Sequence, residues 1–411
     1  MTTLNPQRTI DELRELRSLT GDANGAQRLC WTPTWARARA WFKQKLDALP
    51  IQVETDEAGN LWATLPGRSA QTLVMGSHLD SVTNGGWLDG SLGVLGGLEV
   101  LRRIASEGTP PVTVRLVDWA DEEGARFATG CFGSGMATGH RDASALRHLT
   151  DADGRRKEDV LREHGVDLGR AHLAARHLQN VAAYLELHIE QGPALEGLNL
   201  PLGVVTGTFG IEKHLITFDG LASHAGATPM THRHDAFLAA ARFSLAAREI
   251  AIQHGGVTTT GRIFNTPNQS SVIAGQTALV IDQRVFDEAA LVAMLRDAKA
   301  VCEHICQQEK VSATWQNVMR VDVARFDPHL QKLGDEAVRE VCGMSHHLPS
   351  GALHDASEVA RFGVPTVMLF AQSLRGLSHN KDEDTREEHL ALAVSALDKL
   401  ASKTIAWLAQ K

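Results

Sequence analysis

Short, largely apolar runs that end at a histidine or an acid constrain this chain most. Thr72–Met75 reads as a buried strand. His78 and Asp80 follow it, and Asp89 comes after a glycine-rich turn. Val112–Trp119 is a second such run and ends in Asp121-Glu122-Glu123-Gly124. A third, Ala182–Ile189, delivers His188 and leads at once into Glu190-Gln191-Gly192-Pro193. A fourth, Thr366–Phe370, precedes Gly376–Thr385, GLSHNKDEDT, which carries His379. Groups at the carboxyl ends of parallel strands stand where open α/β sheets place their sites.

The segments between these runs give the domain plan. Ile10–Leu19, Thr34–Leu49 and Gly93–Glu107 read as helices, the second opened by Thr32-Pro33, a cap and a first-turn proline. Ile51–Thr55 and Leu61–Leu65 read as strands about a turn. Residues 125–180 show only short polar and helical pieces, and none of their histidines is assigned a role. From Lys213 to Val318 the order is strand, helix, strand, strand, helix, strand, which fits a compact α+β insert, ferredoxin-like in plan. Pro328–Val341 and Glu387–Ala409 then read as helices. The expectation is a discontinuous α/β catalytic domain, 1–208 and 324–411, interrupted by a smaller domain at 209–323.

The net charge of −8 over 411 residues argues against binding nucleic acid through phosphate neutralisation. No apolar run approaches the ~18 residues of a membrane helix. The polar start, MTTLNPQRTIDELREL, lacks the apolar core of a secretory signal. Cys30, Cys131, Cys302, Cys306 and Cys342 are scattered and complete no zinc finger, so they read as reduced core thiols of a cytoplasmic protein.

The candidate ligands form a set: His78, Asp89, Glu122 or Glu123, His188 and His379. A loop histidine or acid alone is usually an ordinary hydrogen-bonding residue. Here all share one context. Histidines and carboxylates suit zinc, or manganese, cobalt or nickel, and they can hold two ions if one carboxylate bridges. Asp80, too close to His78 to be an easy co-ligand, is expected to accept its other ring N–H. Of the neighbours Glu122 and Glu123, one can bind metal while the other takes a proton from water; the chemistry alone does not choose between them.

The segments GSHLDSVTNGGWLDG, DEEGARF, ELHIEQGP, HAGATPM and SHNKDEDT, in that order, resemble the signatures of the amidase, hydantoinase and carbamoylase family of di-metal hydrolases. That family includes N-carbamoyl-L-amino-acid amidohydrolases, β-ureidopropionases and allantoate amidohydrolases, and shares the zinc-aminopeptidase-like fold. The resemblance implies His78, Asp89 and His188 on one metal, and Asp89, Glu123 and His379 on the other, with Asp89 bridging. Glu122 would be the general base. Gln191 and Arg284 would bind a substrate carboxylate, an arginine fork being suited to it. His224 would reach a neighbouring subunit's site and stabilise the oxyanion, which implies a homodimer made through the inserted lid.

Two positions depart from that family's pattern. Ser271 replaces an asparagine thirteen residues before Arg284, and Leu353 replaces the second glycine of an S-G-A-G-H-D-A loop. Both fall in the substrate grip. The expected activity is hydrolysis of a linear amide C–N bond in a small carboxylate substrate. An N-carbamoyl-L-amino acid stands first. Allantoate or another ureido acid, and an N-acyl amino acid or dipeptide, are the alternatives. A non-catalytic binding module would require eroded ligands, and none is eroded.

Overall fold

The computed structural model describes residues 3–411. The chain divides into two compact units: Met1–Thr206 with Arg325–Lys411, and Gly207–Ala324.

A nine-stranded sheet organises the first unit. Its order runs Ala324–Arg325, Leu202–Thr208, Thr366–Ala371, Val181–Ile189, Thr72–His78, Thr113–Trp119, Leu61–Leu65, Gln52–Thr55, with His347–Ser350 also paired to Leu202–Thr208. Thr366–Ala371, Val181–Ile189, Thr72–His78 and Thr113–Trp119 are mutually parallel, so their carboxyl ends share one edge. The flanking pairings are antiparallel. Thr72–His78 and Thr366–Ala371 are buried along their whole length, which explains their largely apolar character. The strand expected at Thr72–Met75 runs on to include His78, so the ligand side chain is fixed by the sheet itself. Leu202–Thr208 forms a strand that the sequence pattern did not reveal.

Helices Pro6–Thr20, Ser91–Ser106, Pro328–Cys342 and Glu387–Leu408 share one apolar core with the sheet. Asn5, Thr32 and Asp327 cap the helices that start at Pro6, Pro33 and Pro328, each with proline in the first turn. Ser91–Ser106 lies so close to the sheet that a Cβ on Gly93 would stand 2.3 Å from the Leu187 carbonyl oxygen.

A second core packs around Trp31, Trp62 and Trp119. It is closed by the short pieces Phe132–Thr138, Lys157–Glu163 and the 3-10 turn Ala171–Leu178, too brief to show a period. Three of the histidines there have structural partners: His140 with Glu358 at 2.6 Å, His164 with the Trp31 carbonyl at 2.9 Å, His177 with Arg115 at 2.9 Å, while His148 and His172 are exposed.

The second unit is a four-stranded antiparallel sheet, in the order Val257–Thr266, Gln276–Val285, Gly210–Asp219, Ser312–Val321. Helices Ala236–Gln253 and Glu288–Glu309 pack on it, capped by Asp235 and Asp287. With the first strand central and the second at an edge, the order is ferredoxin-like. All five cysteines are free; Cys342 is only half-buried. No helix among the described residues is long and apolar enough to cross a membrane.

The close approach at Gly93 gives a test. Gly93→Ala is expected to lower stability in urea denaturation by ~1–3 kcal/mol, because the obstructing atom is backbone and cannot turn aside; an unchanged midpoint would contradict this.

Candidate metal centre

Three histidines and a shared aspartate meet at the carboxyl edge of the parallel strands. His78 ends one strand and His188 stands one residue before the end of another, both 1% exposed. The His78 Nδ1 lies 3.1 Å from the carbonyl oxygen of Asp80, and the His188 Nδ1 lies 2.9 Å from that of Ile189. A ring that donates Nδ1–H to a carbonyl keeps Nε2 free to bind a metal. Both Nε2 atoms face Asp89 Oδ1, at 3.9 Å from His78 and 3.2 Å from His188. The other oxygen, Oδ2, lies 3.3 Å from His379 Nε2, which in turn lies 3.1 Å from Glu123 Oε2. Asp89 therefore belongs to two potential ligand groups, His78–Asp89–His188 and Asp89–Glu123–His379.

The loops are shaped to allow this. Gly90 follows Asp89 with φ of +63°, and a Cβ there would fall 2.4 Å from the His78 ring, so only glycine serves. Asp121 also takes the left-handed region, φ +59°, and sends the next two residues different ways. Glu123 reaches His379, while Glu122 places Oε2 3.6 Å from His78 Nε2. The geometry thus separates two acids that chemistry alone left equivalent.

Asp80 differs from expectation. Its carboxylate oxygen is 3.7 Å from His78 Nδ1, farther than its own carbonyl oxygen at 3.1 Å. The carboxylate instead accepts the backbone N–H groups of Glu122 and Glu123, both at 3.2 Å, so Asp80 holds the acidic turn. The backbone fixes the histidine's tautomer.

Gln191 is at the centre: its Nε2 donates to Asp89 Oδ2 at 3.1 Å and to Ser378 Oγ at 2.9 Å. Leu353 is half-buried and precedes His354, whose ring centroid lies 4.5 Å from that of His188. His224, Ser271 and Arg284 belong to the second unit. His224 is exposed, and its Nδ1 accepts from the N–H groups of Gly226 and Ala227 at 3.1 and 3.0 Å, leaving Nε2 as the protonated nitrogen. It braces its own turn; the next helix is capped by Asp235. Ser271 is exposed and its carbonyl accepts from Ala225. Arg284 grips a carboxylate already, that of Asp282, at 2.8 and 3.0 Å.

Two residues outside the sequence expectations matter here. Glu383 accepts the N–H groups of Leu88 and Asp89, both at 3.1 Å, and the Ser378 hydroxyl at 2.8 Å. Arg28 is fully buried nearby. Nothing in the sequence marks Glu383 off from its acidic neighbours Asp382 and Asp384; burial alone distinguishes it.

So many buried acids push one another up. Burial, then Asp355 and the other nearby carboxylates, raises the Glu122 carboxyl well above its usual range. Burial, then Asp89, carries Glu383 to about 7. Burial pulls His78 down to about 4. Burial opposes a charge on His188 too, but its bond to Asp89 and that residue's charge take it to about 9. Bonds to Asp89 and Glu123 carry His379 to about 11. Buried charges of one sign persist where they are paired or coordinate metals. Imidazole Nε2 atoms with hard carboxylate oxygens suit borderline divalent cations. The donor set fits such ions on both sides of Asp89.

Residues 74–403 match the profile of Peptidase family M20/M25/M40. The chain is similar to an allantoate amidohydrolase of Bacillus subtilis, 32% identical over 92% of each chain. It is 35% identical to an N-carbamoyl-L-amino acid amidohydrolase of Geobacillus stearothermophilus, over 91% of this chain and 92% of that protein. A crystal structure of a hydantoinase/carbamoylase family amidase from Burkholderia multivorans superposes with a TM-score of 0.86 at 31% identity, covering 97% of this chain and 98% of that one.

Without bound ions, His188 and His379 carry protons at pH 7, below values of about 9 and about 11. Each must lose its proton to become a ligand. Loading with Zn2+ or Mn2+ is therefore expected to release at least these two protons per chain at pH 7, with affinity rising as the pH rises. Calorimetry in buffers of different ionisation enthalpy reads the release; none would contradict these charge states.

Proposed function

This chain belongs to peptidase family M20/M25/M40, and from that premise we propose that it is a di-metal amidohydrolase. It cleaves a linear amide C–N bond, with an N-carbamoyl-L-amino acid as the first substrate class. The observation that carries the reading is the Asp89 carboxylate facing a separate ligand group with each oxygen. The curated relatives at 32–35% identity, named as carbamoyl-amino-acid and allantoate amidohydrolases, support the class of bond.

His78, Asp89 and His188 would hold one ion, and Asp89, Glu123 and His379 the other. Bound there, such cations would supply Lewis acidity to an amide carbonyl and to water, and their charge would draw the raised Glu122 pKa back down. Glu122 takes a proton from the attacking water and passes it to the leaving nitrogen. Water adds to the carbamoyl carbon, the bond to the amino acid nitrogen breaks, and the amino acid leaves with carbamic acid, which decomposes to CO2 and ammonia. Asp80 keeps Glu122 and Glu123 in place through their amides. Gln191 orients Asp89 and faces the substrate. Arg284 takes the substrate carboxylate in exchange for Asp282. Ser271 and Leu353 shape the grip around that carboxylate. His224 offers Nε2–H to the developing oxyanion in a neighbouring subunit. The enzyme works in the cytoplasm.

Dimerisation through the inserted unit is part of the proposal. Leu238, Leu245 and Ile252 recur every seven residues on helix Ala236–Gln253 and are 39%, 68% and 59% exposed. The edge strand Val257–Thr266 exposes Ile263 and Phe264 as well. An apolar helix stripe beside an open strand edge is what a second copy would cover.

Three measurements test these points. Glu122→Gln is expected to lose ~10²- to 10⁴-fold in turnover while retaining its ions; near-wild-type turnover with ions bound would remove Glu122 as the base. Among N-carbamoyl, N-formyl and N-acetyl L-amino acids and allantoate, hydrolysis is expected to be fastest on a carbamoyl compound. Preference for allantoate would select the ureido-acid alternative, and preference for acetyl compounds an acylase. Leu245→Glu is expected to convert a dimer to a monomer in light scattering; an unchanged mass would move the interface elsewhere.

A further inference from the structure

Arg28 binds none of the candidate ligands, yet it touches two of the three segments that carry the first group of them, those of His78 and Asp89. Its Nε donates to the Leu79 carbonyl at 2.8 Å, between His78 and Asp80 in the chain. Its Nη2 donates to Ser91 Oγ at 2.9 Å, two residues beyond Asp89. Its backbone is doubly tied to Ser81, by N–H to Oγ and by carbonyl to N–H, each at 3.1 Å. The guanidinium is fully buried, with Nη1 unpartnered among the described residues. A buried cation is strongly unfavourable unless charges of opposite sign surround it. Glu383, Asp89, Asp80 and Glu123 do so.

We propose that Arg28 is the positioning residue of the metal centre: its fork ties the turn after His78 to the start of the helix after Asp89 and so fixes how His78 Nε2 faces Asp89 Oδ1. The proposal rests on the di-metal reading above. The tie is directional. The two bonded nitrogens sit at fixed angles on one planar group, whereas a lysine ammonium is a compact point charge on a flexible stem and lacks that rigid fork. Glu383 is its counterpart on the other side, holding the Leu88 and Asp89 amides.

Charge and tie act in opposite directions, which makes the inference testable by sign. A cation near the site repels a second cation, so deleting a mere charge would tighten ion binding. Deleting the tie would loosen it. Chelator-stripped protein is titrated with Mn2+ by calorimetry, alongside thermal melts without metal. Arg28→Met and Arg28→Lys are both expected to weaken the ion on His78–Asp89–His188 by ~10- to 100-fold, and the other ion less. Ser91→Ala, a smaller change that keeps the Leu79 contact, is expected to weaken the same ion by a smaller factor.

Arg28→Met binding as tightly as wild type or tighter, or Arg28→Lys restoring wild-type affinity, overturns the proposal. If neither Arg28 variant folds, Ser91→Ala decides: unchanged affinity overturns it. Wild-type protein that takes up no Mn2+ ends the di-metal reading and this inference with it. Wild-type binding with unaffected variants ends this inference alone.

Discussion

The carboxylate of Asp89 turns one oxygen toward His188 and His78 and the other toward His379, and the rest of the first unit is arranged to keep it so. Its backbone amide is held by Glu383, its Oδ2 by Gln191 and Ser378, and its successor Gly90 leaves room for the His78 ring. A single buried acid facing two histidine groups can be placed only if several segments are fixed at once. The parallel strands supply that rigidity, because their carboxyl ends share one sheet edge and their side chains are locked by burial.

The same constraint accounts for the interrupted chain. His78, Asp89, Glu123 and His188 precede the inserted unit in sequence, and His379 follows it. The strand Thr366–Ala371 pairs in parallel with Val181–Ile189 and brings the last ligand loop to the shared edge. The first unit's sheet and its ligand set are thus completed by the same returning segment. The inserted unit has its own core and its own capped helices.

Much of this is legible in the amino-acid sequence. Apolar runs bounded by acids and histidines marked the parallel strands, since full burial leaves no polar face to blur the signal. The order of elements between Lys213 and Val318 marked the ferredoxin-like unit. Residues 125–180 were not legible, because their helices are short and packed around tryptophans rather than along an amphipathic stripe. Leu202–Thr208 is not legible, because Gly203 and Gly207 interrupt its β-branched residues. At the site, residue types pointed to the ligands, whereas supporting roles depended on backbone geometry. Asp80 was expected at the His78 ring, but a carbonyl was nearer and two amides claimed the carboxylate. Arg28 and Glu383 lie far from each other in sequence and serve through contacts with backbone and hydroxyl groups, which no residue pattern announces.

The most direct test of the central claim is anomalous diffraction at the manganese edge, from crystals of the wild-type protein grown with Mn2+. Two peaks flanking Asp89, one beside His78 and His188 and one beside Glu123 and His379, are the predicted result. A single peak remote from Asp89, or none in protein that stays folded, would contradict it.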